Sequence, residues 1–276
     1  DINPLTNFVT ANNQFTFKLL KETNKKNENS FFSPISISSI FGALQTGSAD
    51  ITYIELNSVF NFSTNARIHQ QGAKSILTQL STYNDELTFN NTIWVDKYFK
   101  IEPRFIITSK AFFKTSIEKT EFSLDPIKET NRINSTIADN TNNAISNLIP
   151  EGSITKKTTT VLTNTIYFKD TWKNSFNAKL TQIKDFYVTP NYTVPVKMMR
   201  SKNQTLNYFE NNQLQAIELP YKNNKISMII LLPTTSIESF IQELSNEYLR
   251  DIKKKFRKNT LSIHIPKIKM SSLVLL

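Results

Sequence analysis

Residues suited to acid–base or metal chemistry are scarce in this chain. Histidine, whose charge changes near neutral pH, occurs twice, as His69 and His264, and cysteine is absent. The two imidazoles share no metal-ligand spacing and no acidic cluster accompanies either, so a structural or surface role is expected for both. Without cysteine there is no disulfide framework and no thiolate metal site. A serine nucleophile on a sharp turn needs a G-x-S-x-G frame. None of the four glycines, Gly42, Gly47, Gly72 and Gly152, supplies one. Gly42 and Gly47 have the spacing of a phosphate loop, but Ser48 and Ala49 follow where a lysine and a hydroxyl residue are required. No G-x-G-x-x-G occurs. The sequence therefore predicts no enzyme and no bound cofactor.

A different kind of polar residue stands out. In TTTVLTNTIYFKDTWKNSF, residues 158 to 176, Val161 to Phe168 are rich in β-branched and aromatic side chains, which predicts a strand. Alternation puts Asn164 on one face with Leu162, Ile166 and Phe168. A buried amide without partners costs roughly 1–3 kcal/mol. Either something bonds to Asn164 or this strand must open.

Formal charge is +10, from 33 basic and 23 acidic residues. Part of the excess is local: Arg250, Lys253, Lys254, Lys255, Arg257 and Lys258 crowd one segment. Such a cluster could hold a heparin-like polyanion; the plainer reading is a solvated helix end or loop. No nucleic-acid motif or aromatic interleaving points to specific nucleic-acid binding. The sequons at Asn61, Asn90, Asn134, Asn191 and Asn203 are about as many as chance gives in a chain so rich in Asn, Ser and Thr.

The elements that must position these residues can be read in order. Apolar spacing predicts a helix over 8–20, and a polar loop follows over 21–29. Phe31 and Phe32 read as a short strand. Ser33 before Pro34 predicts a helix start, since serine can cap orphan N–H groups and proline suits the first turn. Ile35, Ile40, Phe41 and Leu44 supply that helix's buried face, and Gly42 and Ala43 suit close packing. Further helices are expected over 51–60, 68–80 and 103–114, and one from Asp125 to about Ile149. Strands are expected over 87–95, where Leu87, Phe89, Asn91, Ile93 and Val95 alternate, and over 116–122. Residues 184–233 read mostly as strands, with a hairpin turn at 222–225. A helix over 237–258 and a strand over 261–270 complete the chain. Helices first and antiparallel strands after argue for an α+β fold in a single domain.

No run approaches the roughly 18 apolar residues of a membrane span. The chain starts at Asp1 with no basic-then-apolar signal pattern. Asp1 could follow a removed leader or simply be where this sequence begins, and an extracellular setting is expected over a cytoplasmic one.

Several segments carry a family resemblance. NSFFSPISIS at 29–38 resembles the serpin pattern around the start of helix B, and GSADITYIELNSVFNF at 47–62 fits the segment after it. INSTIADNTNNAISNLIP at 133–150 is similar to the helix F signature, and residues 158–176 resemble the third strand of sheet A. VPVKMM, AIELPY, SMIILLP and IHIPKIKM then follow in the serpin order. The resemblance covers nearly the whole chain.

It implies a serpin-like α+β domain with sheets A, B and C. It also implies suicide inhibition of a serine protease, with a cysteine protease as the alternative target. The protease would attack an exposed reactive loop, form an acyl-enzyme, and be dragged and distorted as the loop inserts into sheet A, driven by strain in a kinetically trapped fold. Asn164 would match the shutter asparagine beneath that sheet, with Ser33 and Ser36 as the matching helix B serines. Trp172 would match the breach tryptophan where insertion begins.

Three departures qualify the likeness. The segment that in serpins carries the last strands, the hinge and the reactive loop would follow Leu276, so the domain is expected to be incomplete at its C-terminal end. The reactive-site bond is not in this sequence. The helix F pattern usually has an aromatic where Thr136 stands, and the glycine usual after YFK is Asp170. The alternative reading is a non-inhibitory or truncated serpin-fold binding protein.

Overall fold

In the computed structural model, residues 2–25, 28–83, 86–189 and 191–270 are described. They form two compact units, residues 1–19 with 33–169 and residues 20–32 with 170–276. The segment expected to complete the domain would follow Leu276, and residues 271–276 lie outside the described residues.

The first unit holds a mixed sheet flanked by helices. β1 (Leu87–Asp96) lies between β2 (Thr115–Thr120) and β3 (Thr160–Phe168), parallel to β2 and antiparallel to β3. From Asn91 to Asp96 β1 is buried on both faces, more than its alternation of Leu87, Phe89, Ile93 and Val95 alone requires. Ile93 and Val95 pack against Ile40 of α2 (Pro34–Gln45), with Leu162 at the margin. Trp94, on the other face, packs with Phe122 and with Ile133 and Ile137 of α6 (Pro126–Asn140). α1 (Pro4–Thr23), of which residues up to Leu19 belong to this unit, α3 (Asp50–Phe60), α4 (Ala66–Leu80) and α5 (Pro103–Phe113) complete the helices before α6. Proline opens α2, α5 and α6, where its missing N–H would be unpaired anyway. Asp125 caps α6 by accepting from Lys128 N.

The second unit is built on an antiparallel sheet. β5 (Tyr192–Glu210) pairs with β4 (Gln182–Thr189) along its first half and with β6 (Leu214–Pro220) at its end. β7 (Ser227–Pro233) pairs with β6, and β8 (Arg257–Pro266) pairs with β5. The expected turn at 222–225 joins β6 to β7. A bulge bends β5 at Asn203, the residue with φ +55°.

Three expectations need correction. The helix begun at Asp125 ends at Asn140, not near Ile149. Thr141 turns its hydroxyl back onto the Ile137 carbonyl and accepts from Ile145 N, and Asn142, Asn143 and Asn147 take positive φ. The helix expected over 237–258 is two, α7 (Ile237–Glu243) and α8 (Asn246–Lys255), because Ser245 caps a new start by accepting from Tyr248 N. Phe31 and Phe32 belong to no strand, and Phe31 is exposed.

Candidate functional site

Asn164 and Asn91 are direct cross-strand partners on β3 and β1. Asn164 Nδ2 donates to Asn91 Oδ1 at 2.7 Å. Asn91 is buried, and its own Nδ2 donates to the Phe113 carbonyl at 3.1 Å, at the end of α5. Ser39 of α2, also buried, shares its single hydroxyl hydrogen between the Ser36 carbonyl at 2.9 Å and Asn91 Oδ1 at 3.2 Å. Ser36 Oγ donates to Ser33 Oγ at 2.9 Å. Ser33 is the residue before the helix but does not cap it with its side chain; its hydroxyl is taken up by Ser36.

The arrangement follows from two periodicities. Serines at 33, 36 and 39 are three apart, so they line one face of α2. Asn91 occupies the apolar-face position of the β1 alternation opposite Asn164. The structure thus links the three expected residues Ser33, Ser36 and Asn164 through two that the sequence reading did not select, Ser39 and Asn91. The three-residue serine spacing and the asparagine within the Leu87–Val95 alternation were the available signals. On the other face of the sheet, Trp94 Nε1 donates to Thr163 Oγ1 at 2.8 Å.

β3 is only partly buried along most of its length, and among the described residues it pairs with β1 alone. One edge of the seam is therefore hydrogen-bonded through buried amides and hydroxyls while the strand carrying Asn164 keeps a second edge. The backbone ladder and the packing of Ile93 with Leu162 and of Trp94 with Val161 close the seam, and the side-chain bonds, each worth about 1 kcal/mol net, add to it.

His69 is structural in its contacts. It is buried against Phe8, Phe62 and Phe113, and its Nε2–H donates to the Gly42 carbonyl at 3.1 Å. Burial lowers its pKa to about 4, against the smaller opposing pull of the Gly42 carbonyl. The absent side chain of Gly42 makes the fit possible, since a methyl there would lie 2.9 Å from the Phe113 ring.

Trp172 lies in the second unit. Its ring stacks on Tyr221 with centroids 4.5 Å apart and planes 11° from parallel, and meets Phe176 edge-on. Backbone bonds from Lys222 N to Thr171 O and from Lys173 N to Pro220 O hold the two segments together.

The basic cluster spans two elements. Arg250, Lys253, Lys254 and Lys255 lie on α8, Arg257 and Lys258 at the start of β8, and all six are exposed. Asp251 pairs with Lys254, and Lys255 Nζ lies 5.5 Å from the Phe209 ring centroid. Burial pushes the Glu218 carboxyl up, but bonds from Asn207 and Ser227 and the fields of Lys253 and Lys258 outweigh it and leave it below the usual range. Among the described residues no group of three or more His, Cys, Asp or Glu could hold a metal ion, and no helix is long and apolar enough to cross a membrane.

Comparison with known proteins places these features in context. The family model described as Serpin (serine protease inhibitor) matches residues 10–276. Human Serpin B4 is 32% identical over 285 residues, covering 94% of this chain and 73% of the relative. A serpin-like protein of Methanosarcina acetivorans is 31% identical, covering 91% of this chain and 58% of the relative. The chain thus spans between 58% and 73% of the length of these two relatives. The structure of ovalbumin from emu (Dromaius novaehollandiae) superposes with a TM-score of 0.90 at 25% identity, covering 95% of this chain and 74% of that one.

Proposed function

Because the chain belongs to the serpin family, we propose that it is part of a suicide inhibitor of serine proteases, in which the sheet of β1 and β3 admits the inserting loop at the second edge of β3. The observation that carries this reading is the polar run Ser33, Ser36, Ser39, Asn91 and Asn164 beside a strand with a second edge. In this reading the run is the shutter. Its hydrogen bonds hold β3 in register and are exchanged when an inserting loop takes the second edge. Trp172, stacked on Tyr221, is the breach residue. The chain performs no chemistry itself; the target protease supplies the nucleophile and is trapped as its own acyl-enzyme. Cysteine proteases are the alternative target class, and the setting is extracellular.

The test has two stages. First, the natural protein is weighed intact and its C-terminal residues are sequenced. A mass well above 31.8 kDa, with a loop following IHIPKIKM, is expected. A mass near that value overturns loop insertion. Second, the natural protein is incubated with trypsin-like, chymotrypsin-like and papain-like proteases. A complex that survives denaturing electrophoresis is expected with at least one serine protease. Simple cleavage or no reaction with all three leaves a serpin-fold binding protein.

The six-residue basic cluster favours a second, compatible activity: binding a sulfated polyanion across α8 and the start of β8. Its exposure on one helix end and the adjoining strand supports this reading.

A further inference from the structure

Thr163 and Asn164 are neighbours on β3, so their side chains leave the strand on opposite faces. Both are bonded to β1. On the α2 face Asn164 donates to Asn91, which Ser39 of α2 also reaches. On the α6 face Thr163 accepts from Trp94 Nε1 at 2.8 Å. Thr163 lies level with Thr92, so the Trp94 indole reaches it along the diagonal. Arg132 of α6 lies over the Trp94 ring at 5.0 Å and is itself fixed, donating from Nε to Glu129 and from Nη2 to the Lys119 carbonyl of β2, both at 2.8 Å. Each of the two helices thus holds a polar residue of β3 through one residue of β1.

We propose that Trp94 and Thr163 are positioning residues: with Asn91 and Asn164 they lock β3 in one register from both faces of the sheet. Burial alone does not fix that register. A slip of one residue turns every β3 side chain to the wrong face, but a slip of two keeps each on its own. Leu162, Asn164 and Ile166 would still face α2, and Val161, Thr163 and Thr165 would still face α6. The polar pairs penalise what burial allows. A slip one way brings Ile166 opposite Asn91 and leaves that buried amide without its donor. A slip the other way brings Leu162 opposite Asn91 and puts Val161 where Thr163 stands beside Trp94, so the buried indole N–H loses its acceptor as well. Either slip would carry the second edge of β3 about 6.6 Å along the sheet. In the reading given above, that edge receives the inserting strand, and the lock offers it one set of backbone groups. This use of the lock rests on that reading; the lock itself does not.

The test is amide hydrogen exchange of the full chain, comparing the β3 amides with those of β2 in the same unit. Thr163→Val keeps the shape and removes the acceptor. It is expected to speed exchange in β3 about tenfold, the loss of one buried bond, and to leave β2 unchanged. Thr163→Ser keeps the hydroxyl and is expected to restore the wild-type rate. Unchanged exchange in Thr163→Val overturns the lock, as does an equal rise in β2 and β3, which is general loosening. A serine variant as fast as the valine one also overturns it, because the methyl group and not the bond then holds the strand. The natural protein's reaction with proteases separates the lock from its use. If wild type traps no protease while the exchange results hold, the reading of the edge fails and the lock stands. If wild type does trap one, Thr163→Val is expected to trap a smaller fraction of it than Thr163→Ser, and equal fractions overturn the positioning role.

Discussion

Asn91 and Asn164, which face each other across β1 and β3, are joined by a 2.7 Å hydrogen bond between their side chains. The two ends of that bond are not equivalent. Asn91 is buried and also bonded to Phe113 and Ser39, whereas Asn164 is half-buried on a strand with a second edge.

That asymmetry orders two substitutions. Asn91→Ala leaves the Phe113 carbonyl without this donor and lowers stability by about 3 kcal/mol, while Asn164→Ala lowers it by about 1 kcal/mol. Urea unfolding measures both. A double-mutant cycle should give a coupling of at least about 0.5 kcal/mol. Equal losses would remove the asymmetry, and additive ones would show that the pair does not act as a unit. Asn164→Ala is also expected to increase polymer formation on heating, read by native electrophoresis.

His69 gives the fold a specific acid sensitivity. Its pKa is about 4 when folded, against 6.5 for the ordinary side chain. Above pH 6.5 both states are neutral and His69 contributes no pH dependence. As pH falls from 6.5 towards 4, the unfolded chain takes up a proton that the folded one refuses, so stability falls. The full loss is about 3 kcal/mol below pH 4. Denaturant midpoints for wild type and His69→Phe over this range separate this contribution from that of the carboxylates.

The α8–β8 cluster should bind heparin in a steeply salt-dependent way. Replacing Lys253, Lys254 and Lys255 together with Gln lowers the slope of log affinity against log salt by roughly two, by analogy with counterion release from nucleic acids. Heparin-column elution and titration at several ionic strengths provide the measurement. A slope unchanged by the triple substitution would place the contact elsewhere.

Trp172→Ala removes the stacked partner of Tyr221 and lowers stability by about 3 kcal/mol. Trp172→Phe keeps an aromatic face and loses about 1 kcal/mol. Thermal melts of the two variants should differ accordingly. Equal melting would mean that the stacked ring at this position contributes little to stability.

The sequence revealed the parts of this architecture that local chemistry dictates. Prolines at 34, 103 and 126 open three helices because their rings suit a first helical turn. The alternation marked β1 as a strand but not its burial on both faces from Asn91 to Asp96, where Thr92 and Trp94 fill the second face. The end of α6 is harder to read, since the residues from Thr141 onward continue the apolar spacing while the Thr141 hydroxyl and the positive φ of Asn142 and Asn143 stop the helix. The break between α7 and α8 turns on the single cap at Ser245. Ser33, Ser36 and Asn164 were legible, but their connection was not. The Asn91–Asn164 bond joins residues 73 positions apart, and strand register is set by the whole sheet rather than by either segment.

The position of Ser39 also bears on the order in which the fold assembles. β1, α5 and β2 form a parallel crossover that closes over a short stretch of chain. β3 arrives only after α6 and a long connection, so its pairing with β1 is the slower, higher-contact-order step. Until then Asn91 Oδ1 would lack its cross-strand donor in a closing core. The Ser39 hydroxyl stands within reach to serve as a stand-in, its hydrogen turning from the Ser36 carbonyl to Asn91. Ser39→Ala should therefore slow refolding more than it speeds unfolding in stopped-flow experiments, marking this hydroxyl as a folding aid built into the helix.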